Sequence, residues 1–170
     1  MTTLLVLGGC RSGKSRYAQE RCETVSDGRL AYIATAQAFD AEMEERIARH
    51  RSERGSRWLT IDAPIDLAEA LSEAAGRADA ILIDCLTLWL SNLMLAEADI
   101  SAARAALADA VVACPIPVTL VANEVGLGIV PDNALARRFR DEAGWLNQQM
   151  ATLCREVILL AAGLPLTLKA

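Results

Sequence analysis

Short, wholly apolar runs alternate along this chain with longer stretches in which apolar positions recur every three or four residues. Runs of the first kind suit strands buried on both faces, and the longer periodicity suits helices with one apolar side. The pattern predicts strands at Thr3–Leu7, Arg29–Thr35, Trp58–Ile61, Ala80–Asp84, Val118–Ala122, Val157–Ala161 and Leu166–Leu168. It predicts helices at Lys14–Thr24, Asp40–Arg54, Pro64–Ala75, Leu86–Ala96, Ser101–Ala113 and Asn133–Arg155. The Asp40–Arg54 segment is highly charged, with Met43, Ile47 and Ala48 on its apolar side. Such alternation implies an α/β fold with a mostly parallel sheet and helices on both faces. The Gly163-Leu164-Pro165 turn is short enough for a hairpin, so the last two strands are expected to be antiparallel. In such sheets ligands gather beyond the carboxyl ends of the strands, which here carry Gly8, Thr35, Asp84 and Asn123-Glu124.

With 170 residues and 53% hydrophobic side chains the chain can bury one sizeable core, and residues 1–170 read as one domain without repeats or low-complexity tracts. The formal charge of −5 argues against a nucleic-acid or anionic-membrane partner. No apolar stretch is both long and uncharged enough to span a bilayer comfortably, since Ala80–Leu95 carries Asp84 and Asn92. The five cysteines form no CxxC pair, which suggests reduced thiols in a cytoplasmic protein rather than a disulfide framework or zinc site.

The first apolar strand runs into Gly8-Gly9-Cys10-Arg11-Ser12-Gly13-Lys14-Ser15, a full match to GxxxxGK[ST]. Glycines let successive backbone N–H groups turn inward onto phosphate oxygens, and the following helix adds its positive end. Lys14 then reaches the β- and γ-phosphates of a nucleoside triphosphate, and the Ser15 hydroxyl ligates Mg²⁺. Such a motif can arise by chance, but here it stands between an apolar strand and a helical pattern. Of the 17 basic residues only Lys14 and Lys169 are lysines. An otherwise arginine-using chain thus has an ammonium where the motif needs one. Asp84, ending an apolar strand, is the candidate second metal carboxylate, unless it is simply an acidic residue at a strand end.

His50 is the only histidine. Helical spacing puts Arg46, His50 and Arg54 on one face, where guanidinium groups would keep the imidazole neutral and nucleophilic and could grip phosphates. Composition alone favours an ordinary solvated histidine on a charged helix, and the lack of companion ligands argues against zinc.

Taken together, the P-loop, Tyr32–Ala36, Arg46–Arg51, Trp58–Asp62, Asn123-Glu124-Val125-Gly126-Leu127-Gly128-Ile129-Val130-Pro131, Arg137–Gly144 and Asn147-Gln148 resemble one family across essentially the whole chain. It is the bifunctional adenosylcobinamide kinase / adenosylcobinamide-phosphate guanylyltransferase family of cobalamin nucleotide-loop assembly. The resemblance implies a RecA-like P-loop fold and a homotrimer, with GTP and ATP as substrates alongside adenosylcobinamide and its phosphate. It implies phosphorylation of adenosylcobinamide, then GMP transfer from GTP through a covalent GMP–histidine at His50. By the same resemblance, nucleotide contacts fall on Gly8, Gly9, Cys10, Arg11, Ser12, Gly13, Lys14, Ser15, Ala34, Thr35, Ala36, Arg51, Ser52, Glu53, Arg54, Asp62 and Asp84. Metal falls to Ser15 and Asp84, and catalysis to His50 and Lys14. Two departures stand out: the family often has Glu where Asp62 and Asp84 stand, and Ala where Cys10 stands. The alternatives are a P-loop kinase for another small alcohol, and a non-catalytic nucleotide-dependent assembly protein. The first leaves His50 and the Asn123–Pro131 motif unexplained; the second is permitted by a RecA-like fold, since fold does not fix function.

Overall fold

The structure, a computed structural model, describes residues 2–37 and 54–170. Its strands are β1 (Thr3–Gly8), β2 (Leu30–Ala34), β3 (Trp58–Asp62), β4 (Ala80–Asp84), β5 (Val118–Asn123), β6 (Glu156–Ala161) and β7 (Leu164–Lys169). The helices among the described residues are α1 (Lys14–Val25), α2 (Leu67–Ala75), α3 (Leu86–Leu95), α4 (Ile100–Ala113) and α5 (Ala134–Leu153). The strands form one seven-stranded sheet in the order β3-β2-β4-β5-β1-β6-β7. All pairings are parallel except β6 with β7, which is antiparallel. This is the arrangement expected from the alternating pattern.

Each strand's period of two divides its side chains between the two faces of the sheet. Leu5, Ile33, Ile81, Ile83 and Leu120 meet the larger core, built with α2, α3, α4 and α5. Leu4, Val6, Tyr32, Leu82 and Val121 meet the smaller one, which Ala18 and Cys22 of α1 cover. Continued to the strand ends, the same alternation puts Gly8, Ala34, Asp62, Asp84 and Asn123 on the α1 side. Register brings them together: Ala34 lies opposite Asp62 on one side and Asp84 on the other, and Gly8 opposite Asn123.

Two local expectations shift. The helix expected to open at Pro64 starts at Leu67, after a bend in which the Leu67 N–H bonds the Ile65 carbonyl at 2.9 Å. Residues before the helix thus serve other partners, and the Pro64 carbonyl accepts from Asn92. The C-terminal turn is Ala162-Gly163, not Gly163-Leu164-Pro165, with φ of 51° and 79°. Two central residues at positive φ twist a hairpin in the same sense as its strands, so a two-residue turn suffices. Pro165 then falls within β7, at the sheet edge where a missing N–H is tolerated. The expected helix Asp40–Arg54 lies outside the described residues up to Glu53.

Among the described residues no helix is long and apolar enough to cross a membrane. All five cysteines are free thiols; Cys10 is exposed and the others are buried.

Candidate functional site

The P-loop leaves β1 at Gly8 because only a glycine fits there: a Cβ would stand 2.4 Å from Ser12 Oγ and 2.8 Å from the Leu160 carbonyl oxygen. The loop closes through Ser12 N–H to the Gly9 carbonyl at 3.3 Å. Arg11 and Gly13 take positive φ, 55° and 93°, which turns the backbone between them. From outside, the tip of the β6–β7 hairpin braces the loop, with Gly163 N–H bonding the Ser12 carbonyl at 3.0 Å. Helix α1 starts at Lys14 with no side-chain cap and no acidic residue in its first turn. Its first N–H groups and positive end are therefore not neutralised locally, which suits a phosphate. Lys14 folds over the loop, Nζ to the Gly9 carbonyl at 3.0 Å.

Facing this loop, Asp84 ends β4, and its carboxylate makes one hydrogen bond among the described residues, accepted by Oδ2 from the Tyr32 phenol at 3.1 Å. Its Oδ1 and the Ser15 hydroxyl have no partner among the described residues. These are hard oxygen donors of the kind Mg²⁺ takes. The described residues hold no cluster of three or more His, Cys, Asp or Glu able to cage a metal.

Thr35, expected beside the nucleotide, is fully buried. Its hydroxyl donates to the Cys85 carbonyl and accepts from the Cys85 N–H, both at 2.8 Å. The Asp84–Cys85 peptide bond is cis. Asn92 of α3 donates to the Thr35 carbonyl at 2.8 Å, and Thr87 accepts from the Asn123 N–H at 2.7 Å. The Thr35 side chain thus sets the backbone that follows Asp84, while Ala34 and Ala36 on either side are half-buried. The Cys85 thiol is pushed up to about 11, chiefly by burial and next by the Asp84 charge, while Lys14 opposes the shift. Tyr32 is likewise raised, first by burial and then by Asp84.

Arg54 stacks on the Tyr32 ring, its guanidinium carbon 3.6 Å from the centroid. Asp62 lies exposed at the end of β3, two strands from Asp84 in the sheet order. Gly8–Ser15, Ala34–Ala36, Arg54, Asp62 and Asp84 thus gather at one edge of the sheet. His50, Arg51, Ser52 and Glu53 lie outside the described residues.

Sequence reasoning missed Tyr32, Asn92 and the bracing tip at Gly163. Asn92 had a signal, as a lone amide within an apolar helix demands a buried partner. Gly163 had none, since its contact with Ser12 spans most of the chain.

A parallel sheet whose first strand opens a P-loop, with an acidic residue ending a strand one removed from it in the sheet, defines a P-loop nucleotide-binding protein of RecA-like fold. Solved structures agree at the level of fold. The flagellar accessory protein FlaH of Methanocaldococcus jannaschii matches with TM-score 0.55 and 14% identity, over 99% of this chain and 78% of that one. A KaiC-like protein of Pyrococcus horikoshii matches with TM-score 0.54 and 15% identity, over 93% and 70%.

Within that class the chain belongs to the cobinamide kinase / cobinamide phosphate guanyltransferase family, whose profile matches residues 4–168. The bifunctional adenosylcobalamin biosynthesis protein CobP of Pseudomonas aeruginosa is 48% identical over 97% of this chain and 96% of its own length. The bifunctional CobU proteins of Salmonella typhimurium and Escherichia coli are 39% and 38% identical, each over 98% of this chain and 99% of theirs.

Proposed function

We propose that this chain phosphorylates the hydroxyl of adenosylcobinamide and then transfers GMP from GTP to the phosphate so formed, giving adenosyl-GDP-cobinamide and pyrophosphate. The observation that carries this reading is the uncapped start of α1 at Lys14-Ser15, facing Asp84, in a chain that matches a kinase and guanyltransferase family end to end. The P-loop amides and Lys14 bind and orient the triphosphate, and positioning plus charge stabilisation is most of what phosphoryl transfer requires. Mg²⁺, held by Ser15 and Asp84, supplies charge neutralisation at the phosphates. ATP or GTP serves the kinase step. Guanine nucleotide is contacted by Ala34–Ala36, Arg51–Arg54 and Asp62.

In the transfer step a neutral His50 nitrogen attacks the α-phosphorus, a P–N bond forms and pyrophosphate leaves. A phosphate oxygen of the second substrate then attacks the same phosphorus, breaks the P–N bond and frees the histidine. Residues 1–170 act as one cytoplasmic domain within a homotrimer. Exposed Leu164, Leu166 and Leu168 along edge strand β7, and exposed Leu127, Ile129 and Val130 after β5, support such an assembly, since apolar patches of this kind mark contact surfaces.

Incubation with α-³²P GTP followed by denaturing electrophoresis tests the reading. The native chain is expected to carry acid-labile label, and His50→Ala none, with kinase turnover largely retained. Undiminished guanylyl transfer in His50→Ala would mean direct displacement or another nucleophile. Equal collapse of both activities in a folded variant would make His50 a nucleotide-positioning residue.

A further inference from the structure

On the α1 face of the sheet three side chains form a continuous series of contacts leading to the end of β4. The Arg54 guanidinium covers one face of the Tyr32 ring at 3.6 Å. The Trp58 ring meets Tyr32 edge-on, with centroids 6.2 Å apart and planes at 75°. The phenol itself reaches Asp84 Oδ2 at 3.1 Å. Register explains the reach. Tyr32 pairs with Leu82, so Asp84 is its diagonal neighbour two residues along the adjacent strand, on the same face. Long side chains span that diagonal.

Tyr32 is 9% exposed and sits among Leu4, Leu30, Leu82 and Val121. A tyrosine ring has few torsions, and here the core holds one side while Arg54 and Trp58 hold the rest. Its hydroxyl therefore occupies a defined place. Asp84, by contrast, is half-buried and has no other hydrogen bond among the described residues to set its rotamer. Binding Oδ2 leaves Oδ1 as the oxygen open to a ligand.

We infer that Tyr32 is a positioning residue: its O–H locks the Asp84 carboxylate in the orientation that presents Oδ1 to the nucleotide-bound cation. Arg54 keeps the ring seated and joins it to the segment that precedes β3. Tyr32 itself touches neither nucleotide nor metal. The inference rests on the reading of Asp84 as a Mg²⁺ ligand, and the experiment separates the two.

Mn²⁺ binding is measured by electron paramagnetic resonance on the full chain, with a non-hydrolysable GTP analogue present. Native protein is compared with Tyr32→Phe, Asp84→Asn and the double variant. Phenylalanine keeps the ring, the Trp58 edge and the Arg54 stack, so far-ultraviolet circular dichroism and the urea unfolding midpoint should be nearly unchanged. Loss of a hydrogen bond to a charged group predicts a roughly tenfold weaker Mn²⁺ affinity in Tyr32→Phe, with analogue affinity in excess chelator unchanged. Asp84→Asn should weaken Mn²⁺ at least as much, and the double variant no further, because the phenol acts through the carboxylate. Native Mn²⁺ affinity in Tyr32→Phe, beside a weakened Asp84→Asn, overturns the inference and leaves the metal reading standing. Additive losses in the double variant also overturn it. An unchanged Asp84→Asn would remove Asp84 from the metal site and the inference with it.

Discussion

Thr35→Val replaces a buried hydroxyl by a methyl of nearly the same volume, so it creates no cavity and isolates the hydrogen bonds. The lost hydroxyl serves Cys85 twice, at 2.8 Å to its carbonyl and 2.8 Å from its N–H. Thr35 and Cys85 are both buried, so water does not readily replace either bond. Leaving one buried donor and one buried acceptor unpaired costs about 1–3 kcal/mol each, hence about 2–6 kcal/mol in all. For a domain of this size that corresponds to a fall in Tm of roughly 4–24 °C. Thr35→Ser keeps the hydroxyl and deletes one methyl, which should cost only about 1 kcal/mol. Urea unfolding followed by tryptophan fluorescence, with buried Trp89 as a reporter, measures both. A Thr35→Val variant within about 0.5 kcal/mol of native, or a Thr35→Ser variant as damaged as Thr35→Val, would refute the assignment of this hydroxyl to the Cys85 backbone.

Lys14→Ala should abolish both phosphoryl and guanylyl transfer while leaving the melting temperature nearly unchanged, because among the described residues Nζ bonds only the Gly9 carbonyl and lies outside the core. Retained turnover above a few per cent with normal nucleotide affinity would count against the site. Alkaline stability should follow the buried thiols. Burial pushes Cys22 and Cys154 up to about 12 and Cys85 to about 11. In the unfolded chain these thiols ionise near pH 9. The folded state therefore holds their protons more tightly, and the contribution to stability is full below that pH and lost as pH rises towards 11–12. Urea midpoints in reductant should be steady up to about pH 8.5 and fall clearly by about pH 10.5, and a midpoint unchanged over that interval would contradict the burial argument.

Periodicity and motif chemistry are local properties, and they determined much of this protein. Apolar runs such as Ala80–Ile83 suit strands covered on both faces, and Gly8–Ser15 between strand and helix reads as a phosphate-binding turn. Those features sufficed for the parallel sheet, the antiparallel ending and the edge at which the site lies. Thr35 marks where local reading stops. Its position at a strand end was legible, but the engagement of its hydroxyl by Cys85, 50 residues away, was not. Asp84 was legible as an acidic strand end, but its orienting phenol on β2, 52 residues earlier, was not. Nor could the chain announce that the Ala162-Gly163 tip would brace Ser12. Strand order and register bring these groups within bonding distance, and both are set by how the whole sheet packs between its two helical layers. No window of sequence contains that information, because hydrogen bonds form between residues that only the tertiary fold makes neighbours.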